Sequence, residues 1–193
     1  MLKNPQDSRA RRTARQIKET MFFFLESRAI HEISVSEICK TCQINRATFH
    51  DHYRDVFDLV QDMELDLLLA LQALMEQVTP EDTEAEQVSR LFFDFLAEHR
   101  KKMRLLLNNE RSRAFCLRLD SLIMPFFEKK VRQGYAVPPE KEQALRRIME
   151  FVAAGYYRFF MLALEDEGID IRAEAALCAK LSDACLGEAF GKK

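Results

Sequence analysis

The stretch ISVSEICKTCQINRATFHDHYRDVFDL, residues 33–59, contains the signals of two short helices. Ser34 and Glu37 have the spacing of a capping box. In that arrangement the serine hydroxyl accepts from the glutamate N–H, and the glutamate carboxylate accepts from the serine N–H. We therefore expect a helix that begins after Ser34 and ends near Cys42.

The second helix of the pair is predicted by Asn45, a residue type favoured as an N-cap because its side chain accepts from a backbone N–H of the first turn. This helix covers Arg46 to about Tyr53, after a turn at residues 43–45. Two short helices joined by three residues are typical of a helix-turn-helix. The apolar residues expected to lock the pair together are Val35, Ile38, Cys39, Ile44, Phe49 and Tyr53.

Longer helices are predicted on both sides of this pair. The chain has five glycines and five prolines, which is few enough to favour helices over strands joined by tight turns. Apolar residues recur with helical spacing in 8–28, and Asp55 is placed to cap a helix that runs to about residue 78. A linker at 79–82 follows, and further helices are predicted at 84–98, 100–108, 111–133, 139–166 and 171–189.

The charge distribution separates the N-terminal part from the rest. Residues 1–54 hold ten Lys and Arg against six Asp and Glu, a net charge of +4, whereas the remainder has a net charge of −6. A basic head on an acidic body is typical of DNA-binding proteins. We therefore expect an all-α protein with a three-helix DNA-binding head at 1–55 and a larger helical domain at 56–193.

Two basic or polar surfaces of the head are expected to contact DNA. A basic face such as that of the first helix is often only solvated. The helix-turn-helix beside it is what favours contact with DNA. Major-groove contacts are expected from Arg46, Ala47, Thr48 and His50, and phosphate contacts from Arg11, Arg12, Arg15 and Arg54. Lys18 lies on the same basic face of the first helix.

The chain resembles the tetracycline-repressor-type (TetR) family of bacterial regulators over about residues 9–60. The residues that carry the resemblance are I-S-V-x-x-I-C-x-x-C-x-I-N-R-A-T-F-x-x-H-Y, which begins at Ile33. The resemblance implies base or phosphate contacts by Arg46 and Thr48 and phosphate contacts by Thr13 and Ser36. It also identifies His52 as the usual histidine of an H-Y pair and implies that it belongs to the DNA-binding residues. Two departures are His50, where most relatives have tyrosine, and Ala29, where they have the glycine of a left-handed cap.

In that family the later helices bind a small molecule and join two subunits. The resemblance therefore implies a homodimer on a palindromic operator, and a repressor that is released by a small apolar ligand. The implied ligand-lining residues are Leu67, Leu71, Phe92, Phe95, Phe126 and Tyr156, with Arg104 and Asn108 as polar groups. The same aromatic residues can equally form a solid core, and two other functions stay open: an architectural or interaction protein without an inducer, and an activator that recruits a partner.

Dimerisation is also indicated by apolar faces on the last two helices. One face carries Ile148, Phe151, Val152, Gly155, Phe159 and Leu162, and the other carries Leu177, Leu181 and Ala184. Two such helices from each subunit would form a four-helix bundle about a two-fold axis.

Other function classes find no support in the sequence. There is no Gly-rich phosphate loop, no G-x-S-x-G and no H-E-x-x-H, so we expect neither an enzyme nor a bound cofactor. Cys39 and Cys42 form a C-x-x-C without two further ligands at zinc spacing, and packing explains them better than a metal does. Packing is also favoured over a thiol switch for Cys178 and Cys185. With no signal peptide and no membrane span in view, we expect a cytoplasmic protein.

Overall fold

A computed structural model of the chain describes residues 8–79, 85–107, 112–166 and 168–192. Within these ranges it contains eight α-helices, which confirms the all-α prediction. They are α1 (Ser8–Leu25), α2 (Val35–Cys42), α3 (Arg46–His52), α4 (Val56–Gln77), α5 (Ala85–Leu107), α6 (Ser112–Gly134), α7 (Glu142–Glu165) and α8 (Ile171–Phe190). Short 3-10 turns occupy Ile30–Glu32 and Pro139–Lys141. No helix of the described ranges is long and apolar enough to cross a membrane.

The chain divides into two compact units. The first unit contains residues 1–69 and 105–116, and the second contains 70–104 and 117–193. The first unit therefore holds α1 to α3, which are the three helices expected to form the head. A functional boundary at residue 55 stays a prediction.

The core of the first unit is formed by apolar residues whose helical spacing predicted that they would be buried. Ile17 and Met21 of α1, Ile38 of α2 and Phe49 of α3 are fully buried. Burying each such side chain contributes about 1.5–3 kcal/mol. This shared core holds α2 and α3 together, as the helix-turn-helix pattern predicted.

Two predicted helix boundaries were wrong. The segments predicted at 84–98 and 100–108 are not separate helices: their described residues form one continuous helix, α5 (Ala85–Leu107), because no glycine or proline interrupts it. The first helix ends at Leu25 rather than Arg28. Ala29 then has an extended backbone (φ −74°, ψ 155°), so the chain turns here without the left-handed residue that a glycine would supply. The predicted linker at 79–82 lies mostly outside the described residues.

The second unit is built around two apolar clusters. One joins α6, α7 and α8 through Val131, Tyr135, Leu145, Met149, Leu186 and Phe190. The other joins α5 to α8 through Phe93, Ala175 and Cys178. Burial in this second cluster raises the pKa of the Cys178 thiol to about 11, which suits a packing role for that cysteine.

The turn between α2 and α3 depends on one backbone conformation. Gln43 lies in the left-handed region (φ 54°, ψ 40°), where its N–H donates to the carbonyl oxygens of Cys39 and Lys40. Among the described residues it is the non-glycine position with positive φ. An L-residue with a Cβ is strained in this region, whereas glycine is not.

Gln43→Gly is therefore expected to raise the free energy of unfolding by about 0.5–1 kcal/mol, because it relieves this strain. The measurement is chemical denaturation followed by circular dichroism. Lys40→Gly is the matched control, since Lys40 is exposed within α2 and glycine there should cost about 1 kcal/mol. Equal destabilisation by both substitutions would contradict the left-handed turn.

Candidate nucleic-acid interface

The first turn of α2 is fixed by the predicted capping box. The Glu37 N–H donates to Ser34 Oγ over 3.3 Å, and the Ser34 N–H donates to Glu37 Oε2 over 3.0 Å. Arg28, which the sequence analysis did not single out, donates from Nη1 to Glu37 Oε1 over 2.9 Å. Hydrogen bonds from Arg28 and Ser34 lower the pKa of Glu37 to about 2. The carboxylate that closes the box is therefore ionised at neutral pH.

The start of α3 is fixed in the same way. The Thr48 N–H donates to Asn45 Oδ1 over 2.7 Å, so Asn45 is the N-cap that the sequence predicted. Arg46 is the first residue of α3, and its Nη2 donates to Ser36 Oγ over 2.5 Å. This contact brings two residues that were expected at DNA side by side, and it joins the first turns of α2 and α3.

Most of the residues expected at DNA lie on the surface. The exposed ones are Arg11, Arg12, Arg15, Ser36, Arg46, Ala47, His50 and Arg54, while Thr13 and Thr48 are half-buried. Contact with DNA needs this exposure. The assignment of these residues to DNA stays a prediction.

His52 is placed differently from the expectation. Its side chain is buried, with 7% of the residue exposed, and Nδ1 has no hydrogen-bond partner among the described residues. The reason is its position on α3, one turn after the fully buried Phe49, so that both side chains point inward. Burial lowers the pKa of His52. We correct the expected role: His52 packs inside the first unit instead of facing outward.

Lys18 also differs from the expected basic surface. Its Nζ lies 2.8 Å from Asp62 Oδ2 and 2.6 Å from Asp66 Oδ2, and 16% of its side chain is exposed. The same Asp62 oxygen accepts from Tyr53 Oη over 3.0 Å. Lys18 therefore ties α1 to α4 and is not available to phosphates. The sequence signal that points to this tie is the acidic spacing of Asp58, Asp62 and Asp66 along α4.

Two exposed arginines have carboxylates nearby. Arg54 Nη2 donates to Asp58 Oδ1 over 3.1 Å, and Arg15 Nε lies 3.6 Å from Glu19 Oε1. Both side chains of the second pair are mostly exposed, at 76% and 69%. Such pairs contribute about 0–1 kcal/mol, so Arg15 can exchange its carboxylate for a phosphate at little cost.

The two cysteines of α2 are packing residues. Cys42 Sγ lies 3.1 Å from Thr20 Oγ1, and the Cys42 carbonyl accepts from Gln16 Nε2 over 3.1 Å. Burial raises the pKa of the Cys39 thiol. Across the described ranges no three His, Cys, Asp or Glu side chains are grouped as a metal site. Both thiols serve the contact between α1, α2 and the turn.

Three of the residues expected to line a ligand site, Phe92, Phe126 and Tyr156, belong to one aromatic cluster in the second unit. The Phe92 ring centroid lies 5.6 Å from that of Phe126 and 5.0 Å from that of Phe127, and Phe127 lies 6.1 Å from Tyr156. Rings at these separations form a packed aromatic cluster. Packing alone accounts for this cluster, so its role in ligand binding stays a prediction.

The other expected lining residues lie outside that cluster. Phe95 is buried and packs edge-on against His99, with ring centroids 4.4 Å apart. Leu67 belongs to the first unit and Leu71 to the second, and both are buried.

Of the two polar groups expected to orient a ligand, only Arg104 lies in the described part of the chain. Arg104 is exposed on α5, so it does not supply a buried polar group. Asn108 lies outside the described residues. A surface depression of about 540 Å³ is found at the connection between α6 and α7, away from the expected lining. It is lined by Arg132, Tyr135, Ala136, Val137 and Pro138.

Comparisons with known proteins point to regulators. No protein-family model matches the chain. It is 26% identical over 98 residues to YxbF of Bacillus subtilis (strain 168), described as an uncharacterized HTH-type transcriptional regulator; the match takes in 48% of this chain and 26% of that protein. The chain thus spans about a quarter of that relative's length. Among solved structures, the dihydroxyacetone kinase operon activator DhaS has a TM-score of 0.64 at 17% identity, over 92% of this chain and 98% of that one. The two chains share a fold.

His52→Leu is expected to flatten the loss of stability on acidification. Burial lowers the pKa of folded His52, so the unfolded chain binds more protons as the pH falls through the unfolded histidine value of about 6.5. Stability is therefore present above that pH and declines below it. The measurement is the free energy of unfolding of both proteins between about pH 8 and about pH 5.

His50→Gln is the matched control, because His50 is exposed on the same helix and should leave the wild-type pH profile unchanged. His99, whose pKa is also lowered by burial, is common to all three proteins and cancels. Identical profiles for wild type and His52→Leu would contradict the buried placement.

Proposed function

We propose that this protein is a transcription regulator of the TetR type, which binds double-stranded DNA through its first unit. The observation that carries the proposal is the surface at the start of α3. Arg46, Ala47 and His50 are exposed there, on a helix that is capped by Asn45 and anchored by the buried Phe49. In a helix-turn-helix the second helix enters the major groove and reads base edges with residues near its N-terminus.

The basic surface of α1 supplies the sequence-independent part of binding. Arg11, Arg12 and Arg15 are exposed near the start of the helix, and each phosphate that they neutralise releases counterions. Thr13, half-buried between them, adds a hydroxyl. The likeness to an HTH-type regulator and the fold shared with an operon activator support this assignment.

Two copies of the chain would join through α7 and α8. Large apolar side chains are exposed on these helices: Phe151 at 72%, Tyr157 at 50%, Leu177 at 45% and Leu181 at 53%. A Cβ built at Gly155 meets no atom within 4 Å apart from its own helix backbone and chain neighbours, so this position leaves room for a partner helix. Exposed apolar patches on a soluble chain mark interaction surfaces. A two-fold pair of heads then reads a palindrome with half-sites about one helical turn apart.

The proposal includes regulation by a small apolar ligand, as the resemblance of about the first 60 residues to the TetR family implies. A ligand that prefers the subunit arrangement unsuited to the operator weakens DNA binding by its differential affinity for the two states. The cluster around Phe92 and Tyr156 gives the second unit the aromatic surface that such ligands favour. The second candidate is an activator, and it is favoured by the fold shared with a protein that is itself named an operon activator.

Arg46→Ala is expected to weaken binding to DNA selected from a random pool by about 1–3 kcal/mol, because a bidentate arginine contact to a base is lost. Fluorescence anisotropy with the selected duplex gives the Kd. Arg172→Ala is the control, since Arg172 is a strongly exposed arginine of α8 and should leave the Kd unchanged.

Arg12→Ala separates the two kinds of contact in the same assay. It should weaken binding to selected and unrelated duplexes alike and reduce the slope of log K against log salt by about one. If Arg46→Ala left the affinity for selected DNA unchanged, α3 would not be the reading helix.

Leu181→Arg is expected to convert the dimer to a monomer at micromolar concentration, because a charge placed in an apolar contact without a partner is strongly unfavourable. Sedimentation velocity measures the outcome. Leu117→Arg is the matched control: Leu117 is similarly exposed, at 59% against 53%, but lies on α6. A monomeric wild type, or equal dissociation by both substitutions, would contradict the α7–α8 interface.

A further inference from the structure

One edge of the Arg100 side chain is buried, although the residue as a whole is partly exposed. Its Nε and Nη2 atoms are buried, and neither has a hydrogen-bond partner among the described residues. A guanidinium cannot lose its charge in a protein, and an unpaired buried charge is strongly unfavourable. This edge therefore needs an anion or another acceptor when the protein is at work.

The two nitrogens belong to the same side of the guanidinium. Their N–H bonds run nearly parallel, at a spacing that matches the two oxygens of a carboxylate. An alcohol or ketone oxygen satisfies one of these donors, whereas a carboxylate satisfies both and adds opposite charge. The open edge of Arg100 thus has the shape of a bidentate carboxylate receptor.

The face of α5 that leads to this edge is apolar. Arg100 shares one face of α5 with Leu96 and Phe93, which lie one and two helical turns before it. Phe93 is buried against Ala175 and Cys178 of α8, and Leu96 packs on the same cluster. Arg100 therefore continues an apolar face of α5, which favours a ligand with an apolar body.

Pairing within the chain does not account for this arginine. Glu174 on α8 also has a buried carboxylate oxygen without a partner, yet no hydrogen bond or salt bridge joins Glu174 to Arg100 among the described residues. Arg132 of the same unit shows the contrasting, satisfied state. It donates to Glu128 and Glu142 over distances of 2.7 to 3.0 Å.

We propose that Arg100 is the anion-binding residue of the ligand site in the second unit, and that the ligand is a small apolar molecule with a carboxylate. The inference rests on the proposed function as a ligand-responsive regulator, and it specifies the chemistry of the ligand. It also assigns to Arg100 the polar role that the sequence had suggested for Arg104.

Isothermal titration with matched probes tests the proposal. Octanoate and benzoate are each compared with the neutral analogue of the same body, 1-octanol and benzyl alcohol, and acetate supplies the charge without the body. At least one of the two acids should bind wild type about tenfold or more tightly than its alcohol, and acetate should bind more weakly than that acid. Arg100→Gln should remove the acid preference, Arg100→Lys should retain part of it, and the control Arg104→Gln should leave it intact.

The melting temperature of the protein without probe gives a second readout. Arg100→Met removes an unpaired buried charge and keeps the apolar stem, so it should leave the melting temperature unchanged or raise it. If the charge of Arg100 instead stabilised the fold, Arg100→Met would lower the melting temperature. The proposal is overturned if acids and alcohols bind equally, if no acid binds, if Arg104→Gln matches Arg100→Gln, or if Arg100→Met lowers the melting temperature.

Failure of this inference is distinguishable from failure of the proposed function. Binding to selected DNA is measured on the same preparations without any probe. A protein that binds DNA but shows no acid preference overturns the role of Arg100 and leaves the DNA-binding proposal standing. Acid binding by a protein that ignores DNA supports Arg100 and removes the regulator.

Discussion

Helices of eight and seven residues are too short to be stable in water on their own backbone hydrogen bonds, and the candidate DNA surface consists of two such helices. What holds them is a set of caps at the surface and a shared core beneath. Ser34 and Asn45 satisfy the first-turn N–H groups, and the fully buried Ile38 and Phe49 fasten the inner faces. The exposed start of α3 is thereby fixed in position before any DNA arrives, so little ordering entropy remains to be lost on binding.

Much of this head could be predicted because its determinants are local. The residues that form a capping box or an N-cap lie within four positions of one another. The apolar residues that fill the core recur at regular spacing along each helix. The placements that escaped prediction depend on residues distant in sequence. Lys18 belongs to the basic face of α1 by spacing, but Asp62 and Asp66 of α4 lie beside its ammonium group. His52 is a core residue because α3 buries the side that carries Phe49.

The second unit was less predictable for a related reason. Composition showed that aromatic residues had to be buried there, but the sequence does not state which side of α5 faces α8. Arg100 and Arg104 lie one helical turn apart, and the sequence favoured Arg104. The packing of Phe93 and Leu96 shows the direction of that face, and it is Arg100 whose nitrogens are enclosed. A shift of a few tens of degrees about a helix axis separates an exposed arginine from one with two buried nitrogens, and helical periodicity alone does not resolve it.

The central claim is that two copies of the first unit read DNA with α3. Hydroxyl-radical footprinting on a duplex selected from a random pool tests it most directly, because it shows where the protein covers each strand. The account predicts two protected patches on one face of the duplex, about 10 base pairs apart or slightly more, related by a two-fold axis within a palindrome. A single patch, or weak uniform protection of all sequences with no palindrome enriched, would contradict it.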